Sequence, residues 1–144
     1  MTMAADPARV VLVDDADDLR ALIKRALDRE EDFTVVGEAA DGRAGVEVAQ
    51  RELPDVVLLD IAMPVMDGLQ ALPQIRKLSP ASVVVVLSGF GSDSRAAQKA
   101  LELGAHGFLN KGDTQGKLVE RLRVILASHR ARTTMLNHRH AIDS

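Results

Sequence analysis

Cysteine is absent from these 144 residues, which excludes disulfides, thiol catalysis and cysteine-ligated metals. Tryptophan and tyrosine are missing too, and phenylalanine occurs only as Phe33, Phe90 and Phe108. A core must therefore be built mostly from Val, Leu, Ile and Ala. No apolar run approaches membrane-spanning length, and the N-terminus lacks the charged start and apolar middle of a signal peptide. An excess of one charge is lacking as well. The 18 basic and 21 acidic residues leave a formal net charge of -3, which argues against a strongly basic nucleic-acid surface and leaves room for a local patch. These absences point to a cytoplasmic globular protein, and 47% hydrophobic with 27% charged residues fits that class. One domain is the simplest reading of this length.

What is present is an alternation of two periods. Val10 to Val13, Phe33 to Glu38, Val56 to Leu59, Val83 to Leu87 and His106 to Leu109 are short apolar, largely β-branched runs, the pattern of buried strands. Between them, apolar residues recur at helical spacing: Leu19, Leu22, Ile23, Ala26 and Leu27; Ala44, Val48 and Ala49; Leu72, Ile75 and Leu78. A helix over Arg95 to Leu103 follows, with Ser92-Asp93 able to cap it and Gly104 suited to its end. Leu118, Leu122, Ile125 and Leu126 make a last helix. Five strand–helix alternations call for an α/β fold, a parallel sheet wound on both faces. Residues 1–8 read as a flexible leader, 9–128 as the folded domain, and 129–144 as a tail, either a helical extension or disordered. A basic contact for a partner is the lesser reading of that tail, which carries Arg130, Arg132 and Arg139.

A doubly wound sheet brings the carboxyl ends of its strands to one edge, where ligands bind. The first, third, fourth and fifth strands end in Asp14-Asp15, Asp60, Ser88 and Lys111. Three carboxylates gathered there repel one another, and a divalent cation removes the repulsion. Oxygen ligands without His or Cys favour a hard ion, Mg²⁺ first. Lys111 adds a mobile positive charge and Ser88 a hydroxyl, a set suited to phosphoryl chemistry. Asp60 is the natural nucleophile, since a carboxylate can form an acyl phosphate.

Four segments then carry a resemblance: Val-Asp-Asp at 13–15, Asp-Ile-Ala-Met-Pro-Val-Met-Asp-Gly at 60–68, Leu-Ser-Gly at 87–89 and Gly-Ala-His-Gly-Phe-Leu-Asn-Lys at 104–111. From about Val10 to Leu126 the chain resembles a bacterial two-component response-regulator receiver domain. The resemblance implies a flavodoxin-like sheet of order 2-1-3-4-5, and since no output domain follows in this sequence the expectation is a stand-alone receiver. It implies that Asp60 accepts a phosphoryl group from a sensor histidine kinase or a phosphotransfer protein in a Mg²⁺-dependent reaction. Asp15 and Asp60 would bind the ion directly, Asp14 mostly through water, and the Ala62 backbone carbonyl would complete the protein ligands. Lys111 would pair with the phosphoryl oxygens. Ser88 would hydrogen-bond them and make room for Phe108 to turn inward, which remodels the face of the fourth helix, fifth strand and fifth helix. That face would meet a downstream protein or a second copy in a dimer. On this reading the chain catalyses its own phosphoryl transfer and dephosphorylation without being an enzyme on other substrates.

The chain departs from the family pattern in four places. Gly112 replaces the usual Pro after Lys111, so a trans peptide is expected there. Pro73 falls inside the third helix, which should start late or be kinked. Phe90 flanks the phosphorylation site and could shield an acyl phosphate from water. Position 108 is Phe where Tyr is also common. Plainer readings stand beside these. Asp14 and Asp15 could cap the first helix, Ser88 could be a loop hydroxyl, Phe108 core packing and Lys111 a solvated charge. Asp67-Gly68 reads as turn chemistry, Asp17 and Asp18 as helix N-terminal charges. His106, His129, His138 and His140 make no metal pattern. Other functions remain in view: the receiver half of a truncated DNA-binding regulator, direct DNA binding by this chain itself being disfavoured, or a pseudo-receiver scaffold that is never phosphorylated. A phosphohydrolase would want a second Asp at Ala62, and Gly89-Phe90-Gly91 is no nucleotide loop.

Overall fold

The computed structural model describes residues 6–89 and 94–143, with side chains of the second stretch given over 95–136. Phe90 and the Ser92-Asp93 cap lie outside the described residues. The elements alternate as β1 (Ala8–Val13), α1 (Asp17–Asp28), β2 (Phe33–Ala39), α2 (Gly42–Glu52), β3 (Val56–Asp60), α3 (Gly68–Leu78), β4 (Val83–Ser88), α4 (Ser94–Glu102), β5 (Gly107–Asn110) and α5 (Gln115–Asp143). The five strands are all parallel, in the order β2-β1-β3-β4-β5. The α/β, flavodoxin-like expectation is met.

Strand side chains alternate between faces, and the core divides accordingly. Val10, Leu12, Val56, Leu58, Val83 and Val85 pack with Ile23 and Leu27 of α1 and Leu118 and Leu122 of α5. Their neighbours Val11, Val13, Val57, Leu59, Val84 and Val86 pack with Ala49 of α2, Leu72 and Ile75 of α3 and Ala100 of α4. Both faces of the central strands are dry, which is why β3 and β4 show no polar alternation. No helix among the described residues is long and apolar enough to cross a membrane.

The helix starts are chemically specified. Asp41 accepts from the Ala44 N–H at 2.8 Å, and Asp67 with Gln70 forms a reciprocal capping box. Asp17 and Asp18 occupy the first turn of α1, where the helix dipole favours acids. The expectation of a late α3 start is overturned. The capping box begins the helix at Gly68, so Pro73 is its sixth residue, with an exposed ring. Proline has no N–H, so the Leu69 carbonyl loses its helical donor. Pro73→Ala should raise stability by about 1 kcal/mol or more in urea unfolding; no gain would mean that the packing around α3 already offsets the missing hydrogen bond. Gly104 has φ +109, the left-handed side expected at the end of α4, and the Lys111–Gly112 peptide is trans. The final helix continues through the tail to Asp143, and residues 130–136 are exposed.

One contact at the α4–β5 junction makes the fold acid-sensitive. The His106 N–H donates to the Val84 carbonyl at 2.8 Å, and the Val84 N–H donates to His106 Nδ1 at 3.0 Å. The acceptor nitrogen must be unprotonated. Burial first, then the positive charges of Arg76 and His129, hold this imidazole down at about 4 from its ordinary 6.5. Between those values the unfolded chain binds a proton that the folded chain refuses. Stability present above pH 6.5 is therefore lost as pH falls through the folded value. In the Asp60→Asn background, where no second shifted group opposes it, urea midpoints at about pH 7 and about pH 4.5 should diverge, with a smaller gap once His106→Gln is added.

Candidate phosphorylation and metal site

Parallel strands deliver their last residues to one rim, and the register aligns them. Leu12 pairs with Leu58 and Val13 with Leu59, so Asp14 and Asp60 are the next residues outward on adjacent strands. Asp60 pairs with Leu87 and Ser88 with Asn110, which sets Lys111 at the same edge. The Lys111 N–H donates to the Ser88 carbonyl at 2.9 Å, and its Nζ reaches Asp60 Oδ1 at 2.7 Å. Asp14, Asp15 and Asp60 each offer a carboxylate oxygen within 4.8 Å of the others. Asp14 and Asp60 are each only 1% exposed, whereas Asp15 is exposed. Sequence reasoning placed four strand ends together, and all four meet.

The capping alternative for the acidic pair does not hold: the N-cap of α1 is Ala16, with no side-chain cap bond. Asp14 Oδ1 instead accepts the Ala16 N–H at 2.8 Å, and the Asp14 N–H donates to the Ala39 carbonyl at 3.0 Å. Asp60 Oδ1 also accepts the Ala62 N–H at 3.2 Å. Burial pushes the Asp60 carboxyl up to about 6; the Lys111 hydrogen bond pulls it down, and the Asp14 charge adds to the rise.

Three buried side-chain oxygens among the described residues have no hydrogen-bond partner: Asp14 Oδ2, Asp60 Oδ2 and Ser88 Oγ. Buried polar atoms are normally satisfied, and these three belong to one rim. Two carboxylate oxygens suit a hard divalent cation, and a hydroxyl beside an ammonium suits a phosphoryl group. The residues present fit both.

Phe108 pairs with Val86 and is half-buried, packed at the edge of the α2–α3–α4 core. The Arg121 guanidinium lies 5.2 Å from its ring centre and donates to its carbonyl at 3.1 Å. Two contributors escaped sequence reasoning. Gly68 reads as a turn residue, yet the Asp60 carbonyl lies where its Cβ would be, at 2.2 Å. Arg20 is not singled out by any motif in the sequence, yet its guanidinium donates to the Asp14 carbonyl at 2.5 Å. No local pattern signals either one, because each partner is a backbone carbonyl that only the folded geometry brings within reach.

The model of the response regulator receiver domain matches residues 10–123. The chain belongs to the response regulator receiver domain family. This receiver is 40% identical over 106 residues to the nitrate/nitrite response regulator protein NarL of Escherichia coli K12, covering 74% of the chain and 49% of that protein. It is 45% identical over 103 residues to a protein-glutamate methylesterase/protein-glutamine glutaminase of Caldanaerobacter subterraneus, covering 72% of the chain and 28% of that protein. The receiver thus spans half or less of the length of these curated relatives. Among solved structures, the signal receiver domain of NarL from Mycobacterium tuberculosis superposes with a TM-score of 0.79 at 36% identity, covering 85% of this chain and 98% of that one. The response regulator domain of Thermotoga maritima CheB gives 0.74 at 32%, covering 84% and 97%. The receiver is a signalling domain of two-component systems.

Proposed function

We propose that the receiver takes a phosphoryl group on Asp60, in a Mg²⁺-dependent reaction, from a sensor histidine kinase or phosphotransfer protein in the cytoplasm, and then signals by protein–protein contact. One observation carries the reading: the Lys111 ammonium is 2.7 Å from Asp60 Oδ1 while Asp60 Oδ2 is buried without a partner. Asp14, Asp15 and Asp60, with the Ala62 carbonyl, would hold the cation. When bound, it supplies charge neutralisation for the carboxylates and for the incoming phosphoryl oxygens.

The chain's own residues do the rest. At neutral pH Asp60, with its carboxyl at about 6, is mostly ionised and nucleophilic. A carboxylate oxygen forms a bond to phosphorus as the phosphorus–nitrogen bond of a donor phosphohistidine breaks, and the freed imidazole takes a proton. Lys111 turns from Asp60 to the phosphoryl oxygens, and Ser88 Oγ donates to another. The apolar groove of about 420 Å³ lined by Leu19, Leu22, Ile23, Ala26 and Leu118 opens beside Lys111, and offers an apolar helix of the donor a seat next to the rim. The Ser88 movement gives Phe108 room to turn inward, which changes the α4–β5–α5 face for a downstream partner or a second copy. Dephosphorylation reverses the bias by water attack on the same acyl phosphate.

A scaffold that is never phosphorylated would have no use for the buried acids and the lysine, so that reading is the weaker one. Incubation with acetyl phosphate and Mg²⁺ followed by intact mass decides between them. Wild type should gain one phosphoryl group, and Asp60→Ala none. An equal gain in the variant, or none in wild type, overturns the reading.

A further inference from the structure

We propose that Arg20 is a positioning residue for the cation site, holding the Asp14 backbone so that its free carboxylate oxygen stays aimed at the rim. The proposal rests on the Mg²⁺ reading above and extends it to a residue that touches neither cation nor phosphoryl group. Three of the four polar atoms of Asp14 are tied. Its N–H donates to the Ala39 carbonyl, its Oδ1 accepts from Ala16, and its carbonyl accepts Arg20 Nη1 at 2.5 Å. Only Oδ2 is left, buried and unpartnered. With the backbone pinned on both sides and one carboxylate oxygen held, rotation about the Asp14 side chain is arrested.

The guanidinium is itself held on two more sides. Nη2 binds Asp17 Oδ1 at 2.8 Å and Nε binds Glu38 Oε1 at 3.2 Å. Its side chain is 17% exposed, against 81% for Asp17 and 38% for Glu38. The end of β1, the first turn of α1 and the end of β2 thus converge on one planar fork. Exposed ion pairs like these contribute little energy; their geometric effect is to aim the third arm at the carbonyl. The two carboxylates also offset the positive charge of Arg20, so its role is not to repel the cation. A lysine has one point of donation and no fixed plane, so it cannot serve all three partners in this geometry.

The test is the Mg²⁺ dissociation constant measured by calorimetry, alongside unfolding midpoints in Mg²⁺-free buffer. Outer-shell partners of metal ligands are worth about ten-fold or more in affinity, and that loss is expected in both Arg20→Lys and Arg20→Met at a near-native midpoint. Recovery of wild-type affinity in Arg20→Lys would mean that charge alone matters, and would overturn the proposal. The double variant Asp17→Ala/Glu38→Ala leaves the core untouched and frees the guanidinium, so affinity should fall by about three-fold or more. Unchanged affinity there in a folded chain also overturns it. Failure of wild type to bind Mg²⁺ is a different result, and removes the site reading beneath this one.

Discussion

Gly68→Ala should unfold the rim at the point where Asp60 leaves the sheet, lowering stability by about 3 kcal/mol or more. A Cβ at Gly68 would stand 2.2 Å from the Asp60 carbonyl oxygen and 2.9 Å from both Asp60 C and Ile61 Cα. All three are backbone atoms, so no rotamer change relieves the overlap. Neither side can yield cheaply. Asp60 is locked into β3 beside Leu87, and Gly68 donates its N–H to the Ile61 carbonyl at 2.9 Å while opening α3 behind the Asp67–Gln70 capping box. The loop between them carries Ala62, so a shift at either end also displaces the residues proposed to hold Mg²⁺. Urea unfolding and Mg²⁺ calorimetry should both register the change. Gly89→Ala is the control, since no atom of the described residues beyond its chain neighbours lies within 4 Å of its Cβ position. Equal stability of the two variants would remove the account of Gly68 as a site residue.

Asp60→Asn should make the metal-free chain more stable than wild type at alkaline pH, by about 2 kcal/mol at about pH 8. The carboxyl is raised to about 6 from 3.8, with burial the main cause, Lys111 opposing it and Asp14 adding to it. A raised carboxyl means that the folded chain keeps a proton which the unfolded chain has already lost. Stability from this group is therefore highest below pH 3.8, declines as pH climbs towards 6, and stays low above that. Asparagine carries no charge at any of these values, so the gap between the proteins should close near pH 4. The slope has the opposite sign to that from His106, and only the His106 limb should survive in the variant. Mg²⁺ should narrow the gap at about pH 8, because a ligand that binds only the folded form adds stability to wild type. Parallel stability curves from about pH 4 to about pH 8 would sink the assignment of Asp60 as the strained carboxylate.

A site held partly unsatisfied is consistent with switching. Two states exchange readily when the ground state leaves a deficit that a new charge repairs. The unpartnered oxygens of Asp14, Asp60 and Ser88 are such a deficit, concentrated where the phosphoryl group is proposed to arrive.

How much of this the chain announces by itself depends on the range of each interaction. Strand and helix alternation, the parallel sheet and the meeting of Asp14, Asp15, Asp60, Ser88 and Lys111 at one edge follow from periodicity and chain-order rules, so residue types alone carried them. Helix starts were less legible. Pro73 predicted a late start or a kink in α3, but the start is set by the capping box at Asp67 and Gln70, whose local hydrogen bonds outweigh a proline on the exposed face. Tertiary structure alone decided the rest. The contact of Gly68 with the Asp60 carbonyl and the grip of Arg20 on the Asp14 carbonyl join backbone atoms to groups from other elements. Backbone atoms are the same in every residue, so no residue type marks them, and only the folded geometry brings such partners within reach.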